Sequence, residues 1–348
     1  MELKELIITL CSLMSVSGHE SEAYGELRAL VGEYFDEIKQ DSVGNILLVR
    51  KCGKENAPKI VIDTHFDEIG MLVTKIHEGG FLSVTSVGGL DPSILQASDV
   101  VIYGKEKIHG VIASTPPHLK KDKDSKKLPE LSEMLIDTGY EKEELEKTVS
   151  VGTPVGFAPV YTELLGDCLC GKSFDNKACA AAAIYGLSMA ARNSLAADVY
   201  LLLSCHEETL HIGGVAVGAF AIEPDYAMVI DVNLAKVPDT PRHETVDFGA
   251  GVSISISAVT DKRLTRAVEA LCRDKNIKYT RVAAPASTGT NTPALNLTGR
   301  GVPTVDIGLP LKSMHTCSEV INLGDALELS SLVREFVCSE KIKEAFAI

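Results

Sequence analysis

Positive charge is in short supply in this 348-residue chain: 34 lysines and arginines face 48 aspartates and glutamates, a formal net charge of -14. That balance argues against nucleic acid or an anionic membrane as the main partner. Long apolar runs are missing too. None reaches the roughly 18 to 20 residues of a membrane span, and the N-terminal MELKELIITLCSLMSVSGHE has no basic start followed by an apolar signal core. The nine cysteines lack zinc-finger spacing, and their odd number fits reduced thiols better than a secreted disulfide framework. Together these absences point to a cytoplasmic protein. Some catalytic signatures are absent as well. No G-x-S-x-G or cysteine-protease pattern surrounds Cys205 or Cys317, and GKEKIHG and STGTNT lack the spacing of a phosphate-binding loop.

What is there is 45% hydrophobic and 24% charged, an ordinary balance for a chain with a sizeable core and one or two domains. Four short segments rich in Val, Ile and Leu read as buried strands that end abruptly in polar residues. They are KIVIDTHFDE from 59, DVYLLLSCHEE from 198, YAMVIDVN from 226 and PTVDIGLPLKSMH from 303. Helix-like stretches alternate with them, notably NKACAAAAIYGLSMAARNS from 176 and GGVAVGAFAIEP from 213. The alternation predicts an α/β fold: a mixed, largely parallel sheet with helices on both faces. From about Val73 to Cys168 the texture changes to short strands and turns. That predicts a small β-rich domain, 69–163, inserted into an α/β domain made of residues 1–68 and 164–348. The lysine-rich KKDKDSKKLPE at 120–130 reads as solvated loop charge.

Ligands in open α/β sheets gather outside the carboxyl ends of the strands. Here those ends carry His65 and Asp67, then Glu207 and Glu208, then Asp231, then His315, while Asp175 stands where a helix begins. Two histidines and several carboxylates on one rim make an oxygen- and nitrogen-rich metal site. If Asp175 bridges two metals, the remaining ligands divide two to each ion. Three protein ligands per ion leave room for water, the pattern of a catalytic site. Two ions about 3.5 to 4 Å apart would polarise a carbonyl and acidify a shared water. One acid must stay free to take the proton, and adjacent glutamates could supply both a ligand and a base. Both reach the site only if the backbone leaves strand geometry, for which the Gly213–Gly214 pair offers a turn. Taken singly, each residue has an ordinary alternative as a hydrogen-bonded structural histidine or a capping aspartate. Their joint placement favours ligands. His206 and His211 read as structural.

At these residues the chain resembles the M42 family of metallo-aminopeptidases, which includes the TET peptidases and the bacterial glutamyl aminopeptidases. THFDEIGMLV, SVGGLDPSIL, GVIASTPPHL, FDNKACAAAA, CHEETLHIGG, VIDVN and KSMHTCSEVINLGD follow that family's order over nearly the whole chain. The resemblance implies that His65 and Asp231 hold one metal, Glu208 and His315 the other, with Asp175 bridging. It implies that Asp67 fixes the tautomer of His65 and that Glu207 is the general base. Two divalent ions per subunit follow, zinc first, with cobalt or manganese as alternatives. The implied reaction removes N-terminal residues from short, unfolded, unblocked peptides. The implied assembly is a homo-oligomer in which the inserted domain forms dimers that build a hollow tetrahedral dodecamer. The family's Asp-Asp-Arg is Asp175, Asn176 and Lys177 here, its Thr-Asp-Ala is Thr290, Asn291 and Thr292, and its Arg-Tyr is Lys312 and Ser313. These departures alter charge around the pocket. Two alternatives stand beside this reading: a metal-dependent deacylase of small N-acyl compounds, and a non-catalytic subunit of a mixed peptidase assembly.

Overall fold

Parallel register brings the polar ends of the four apolar segments together. The computed structural model describes residues 1–114, 130–209, 213–241 and 245–346; His211 and residues 120–129 of the lysine-rich stretch lie outside them. The segments form neighbouring parallel strands in the order Asp198–Ser204, Lys59–His65, Tyr226–Leu234, Thr304–Lys312. Further ladders, antiparallel except for Val252–Ser257 with Tyr279–Ala284, extend this centre to an eleven-stranded sheet, with Ile46–Arg50 beside the first strand and Glu319–Asn322 beside the last.

Successive side chains on a strand point to opposite faces, and both faces of the central strands are apolar. Ile60, Ile62, Leu201, Leu203, Met228 and Ile230 belong to one core, and Val61, Leu202, Ala227 and Val229 to another. Helices cover both. On the first face lies Leu3–Ser12, whose Leu3, Leu6, Ile7 and Leu10 form a buried stripe; each such side chain contributes about 1.5–3 kcal/mol by leaving water. Beside it runs Phe174–Met189, buried without a break from Phe174 to Ile184. Its alanines keep that helix thin between the sheet and Leu323–Val337. Gly186 allows the closest approach, because a Cβ there would meet the Ser330 backbone oxygen. Gly213–Ile222 packs on the second face. The molecule is thus the α/β fold with helices on both faces that the sequence predicts.

Only residues 66–69 separate the His65 strand from a second structure, a closed antiparallel barrel. Its six strands are Gly70–Ile76, Phe81–Val87, Ile136–Asp137, Lys107–Ile112, Asp99–Tyr103 and Pro154–Phe157, in order around the barrel. It has its own apolar centre, including Met71, Val73, Leu82, Ile102 and Val155. All nine cysteines are free thiols. Among the described residues, no helix is long and apolar enough to cross a membrane.

Candidate active site

Register builds the first half of the site. Val229 pairs with Asp63, so Asp231 and His65 come level two residues further along their parallel strands. Ser204 pairs with His65, which delivers Glu207 and Glu208 to the same rim. His65 Nδ1 donates to the Asp67 carbonyl oxygen at 3.1 Å. Its Nε2 therefore faces Asp175 Oδ1 at 3.1 Å, Asp231 Oδ1 at 3.6 Å and Glu207 Oε2 at 4.0 Å.

His315 builds the second half in the same way. Its Nδ1 donates to the Gly89 carbonyl at 3.1 Å, leaving Nε2 to face Glu208 Oε2 at 3.2 Å and Asp175 Oδ2 at 3.4 Å. A Cβ on Gly89 would lie 2.9 Å from that ring nitrogen, so the loop after the barrel strand Phe81–Val87 approaches the histidine as only glycine can. Asp175 turns one carboxylate oxygen to each histidine. Two groups of donors result, His65 with Asp175 and Asp231, and Asp175 with Glu208 and His315, each with its atoms within 4.8 Å of one another.

The backbone leaves strand geometry where the adjacent glutamates require it. Strand structure ends at Ser204 and His206 has a φ of +65°. The turn lies there rather than at Gly213 and Gly214, which begin a helix instead. Both carboxylate oxygens of Asp67 accept backbone N–H groups from this turn, Oδ1 from Glu207 at 3.1 Å and Oδ2 from Glu208 at 3.0 Å. That carboxylate also lies 3.6 Å from His65 Nδ1. Ser173, Ser313 and His315 have positive φ as well. Such conformations cost about 1–3 kcal/mol each in a non-glycine residue and persist only where surrounding contacts over-determine them.

The electrostatics suit a cation. Burial pushes the Asp231 carboxyl well above the usual range and Glu208 up to about 7, with Asp175 adding repulsion to each. Burial also works against ionised Asp175, but the hydrogen bonds from His315 and His65 hold it below the ordinary range. Those from His315 to Asp175 and Glu208 raise the imidazole to about 11. Glu208 Oε1 is buried with no hydrogen-bond partner. Histidine nitrogen and carboxylate oxygen are the donors that divalent zinc, cobalt or manganese takes, and a cation would supply that missing partner. The residues fit the group. They border a cavity of about 670 Å³ whose other walls include Ser86, Val87, Thr209, Val232 and Met314.

Other residues fall outside this centre. Neither Cys205 nor Cys317 lines the cavity. Glu20, Cys205 and His206 form a further donor group, but the Cys205 thiol is already within 3.3 Å of the Val43 carbonyl and 3.2 Å of Asn45 Oδ1. The departures Asn176, Lys177 and Asn291 are buried beneath the site. Asn176 donates to the Ile230 carbonyl at 2.9 Å and Lys177 to that of Leu13 at 2.6 Å, while Asn291 donates to Asp63 Oδ2 and Ser204 Oγ, both at 3.0 Å. None of them lines the cavity, so their effect on charge falls under the site rather than on its surface.

Three acids escape the sequence reading. Asp63 stands two residues before His65 on its strand and accepts from Asn291 at 3.0 Å, and Glu68 accepts from Lys172 and Ser173 while pairing with Lys177 at 3.3 Å. Glu319 accepts the N–H groups of Asp175 and His315. For Asp63 and Glu68 the available signal was an acid set among apolar residues, in KIVIDTH and FDEIG.

Comparison with known proteins follows the same outline. The family model for M42 glutamyl aminopeptidase matches residues 44–332. The lysyl aminopeptidase of Pyrococcus furiosus is 27% identical over 95% of this chain and 94% of its own. An aminopeptidase from the archaeon Desulfurococcus kamchatkensis superposes with a TM-score of 0.90 at 29% identity, covering 99% of this chain and 98% of that one. The TET1 peptidase of Pyrococcus horikoshii, which can assemble into a tetrahedron or a large octahedral shell, gives a TM-score of 0.84 at 25% identity, with 97% and 99% covered.

Proposed function

The chain belongs to the M42 glutamyl aminopeptidase family and is an aminopeptidase; from that premise we propose that it removes N-terminal residues from unblocked peptides with two divalent cations per subunit. The observation that carries the proposal is Asp175, whose two oxygens face His65 at 3.1 Å and His315 at 3.4 Å. His65, Asp231 and Asp175 would hold one cation, and Asp175, Glu208 and His315 the other. Zinc is the first expectation, with cobalt or manganese as alternatives. When bound, such a pair supplies Lewis acidity for the scissile carbonyl and for an attacking water.

The chain's own residues do the rest. Glu207 is the more open of the two glutamates, its side chain 19% exposed against 4% for Glu208. Its Oε2 takes the proton of the attacking water and returns it to the leaving amine. Asp67 holds both glutamates by their backbone, so base and ligand keep a fixed spacing. The carbonyls of Asp67 and Gly89 hold the histidine tautomers with Nε2 toward the cations.

The assembly we propose is a homo-oligomer: dimers formed through the inserted barrel and built up into a tetrahedral dodecamer, as the similarity to the Pyrococcus horikoshii shell-forming peptidase suggests. Short unfolded peptides would be its substrates. Nine free thiols agree with a reducing, cytoplasmic setting. A panel of free aminoacyl anilides and N-acyl amino acids, offered to cation-loaded protein, tests the reaction. We expect hydrolysis of the free-amine set; turnover of the acylated set alone would replace the peptidase with a deacylase.

A further inference from the structure

Carboxylates outside the ligand set accept backbone N–H groups around the centre, and one of them, Glu319, reaches two of the ligands. Glu319 opens the strand Glu319–Asn322 and is only 2% exposed. Its partner across the antiparallel ladder is Gly171, shortly before Asp175 in the chain. From there Oε2 accepts the N–H of Asp175 at 3.2 Å, and Oε1 accepts the N–H of His315 at 3.0 Å. One buried side chain thus ties the backbone of the bridging aspartate to the backbone of the second histidine, although the two come from different elements. Asp67 does the same for Glu207 and Glu208 on the opposite side.

We propose that Glu319 is a positioning residue that presets Asp175 and His315 for the cation they would share with Glu208; the inference rests on the two-cation reading above. His315 needs such a hold. Its φ of +60° and that of Ser313 at +57° lie in the left-handed region, which non-glycine residues adopt only when surrounding contacts over-determine them. The His315 ring is held by the Gly89 carbonyl and by Glu208 and Asp175, and its backbone N–H by the Glu319 carboxylate. The residue must be an acid rather than an amide. A glutamine offers one oxygen, and its NH2 would face a backbone N–H, turning one of the two contacts into donor against donor. Glu319 touches neither cation nor substrate in this role.

The test is Co2+ titration of cation-free wild type and Glu319→Gln, followed by visible absorption with chelator competition, alongside thermal unfolding of the cation-free proteins. Wild type should take up cations in two steps. In Glu319→Gln the step assigned to Asp175, Glu208 and His315 should weaken by roughly 10- to 100-fold, the usual cost of losing a ligand's supporting hydrogen bond. The step assigned to His65, Asp231 and Asp175 should weaken less, because Glu319 holds only one of its three ligands but two of those at the other site. Unchanged affinity at both steps, or equal weakening of both with a lower melting temperature, would overturn the proposal. A wild type that binds a single Co2+ would overturn the two-cation reading itself. Should the variant not fold, amide hydrogen exchange in the cation-free wild type decides: Asp175 and His315 must exchange more slowly than Thr316, and equal rates would refute the clamp.

Discussion

Glu207 and Glu208 are neighbours in sequence with unlike surroundings, and the difference is what the proposed division of roles rests on. Glu208 is buried, lies 3.2 Å from His315 Nε2 and has an oxygen without a partner. Glu207 stands at the edge of the cavity, with no side-chain contact shorter than 4.0 Å to either histidine among the described residues. Glu207→Gln should therefore lower kcat by at least about 100-fold, the scale of a lost general base, while leaving cation content intact. Glu208→Ala should lower cation content as well as activity. Elemental analysis beside steady-state kinetics reads both, and equal cation loss in the two variants would reverse the assignment. At this scale the sequence was informative about position, because His65 and Asp231 stand toward the ends of apolar strands and Glu208 and His315 shortly after them. Glu319 was not legible. Its importance depends on which backbone N–H groups reach it, and those are set by left-handed turns at non-glycine residues that carry no sequence mark.

Elements meet beneath the site in a buried ion cluster. Glu68, between the His65 strand and the barrel, contacts Lys172 and Ser173 ahead of the Asp175 helix and pairs with Lys177 within it. Its second oxygen accepts the Ser15 N–H at 3.2 Å, after the first helix. One carboxylate thus faces two ammonium groups. Burial works against ionised Glu68, yet Lys172 and Lys177 hold its pKa down to about 2. Burial lowers Lys177 to about 8 in spite of Glu68. The sign follows from the lowered carboxylate: its contribution to stability is full above the ordinary range near 4.5 and is lost as pH falls toward about 2. Glu68→Gln should cost about 3–5 kcal/mol at neutral pH, because two buried cations lose their partner. The variant should also lose less stability than wild type between those two pH values. Urea unfolding of the cation-free proteins across that range checks both; parallel curves would mean that the cluster does not hold the elements together. The departure at Lys177 thereby acquires a local reason. The barrel itself was legible only as a β-rich insertion, since the order in which its strands pair depends on contacts far apart in the chain.

At the scale of the whole molecule, two structures share one site. The parallel sheet supplies His65, Glu208, Asp231 and the strand leading to His315, while the barrel returns a loop whose Gly88 and Gly89 press on Glu208 and His315. Alternating apolar segments with polar ends foretold the sheet and its rim; the contribution of the barrel to the rim needed the fold. The proposal depends most on Asp175, the residue that two cation sites would share. The most direct measurement is the cation content of reconstituted wild type and Asp175→Ala after removal of loosely bound metal. The account predicts about two divalent cations per chain in the wild type, as a two-metal hydrolase requires, and a clear fall in the variant. Fewer than about one per chain in the wild type, or an undiminished content in Asp175→Ala, would contradict it.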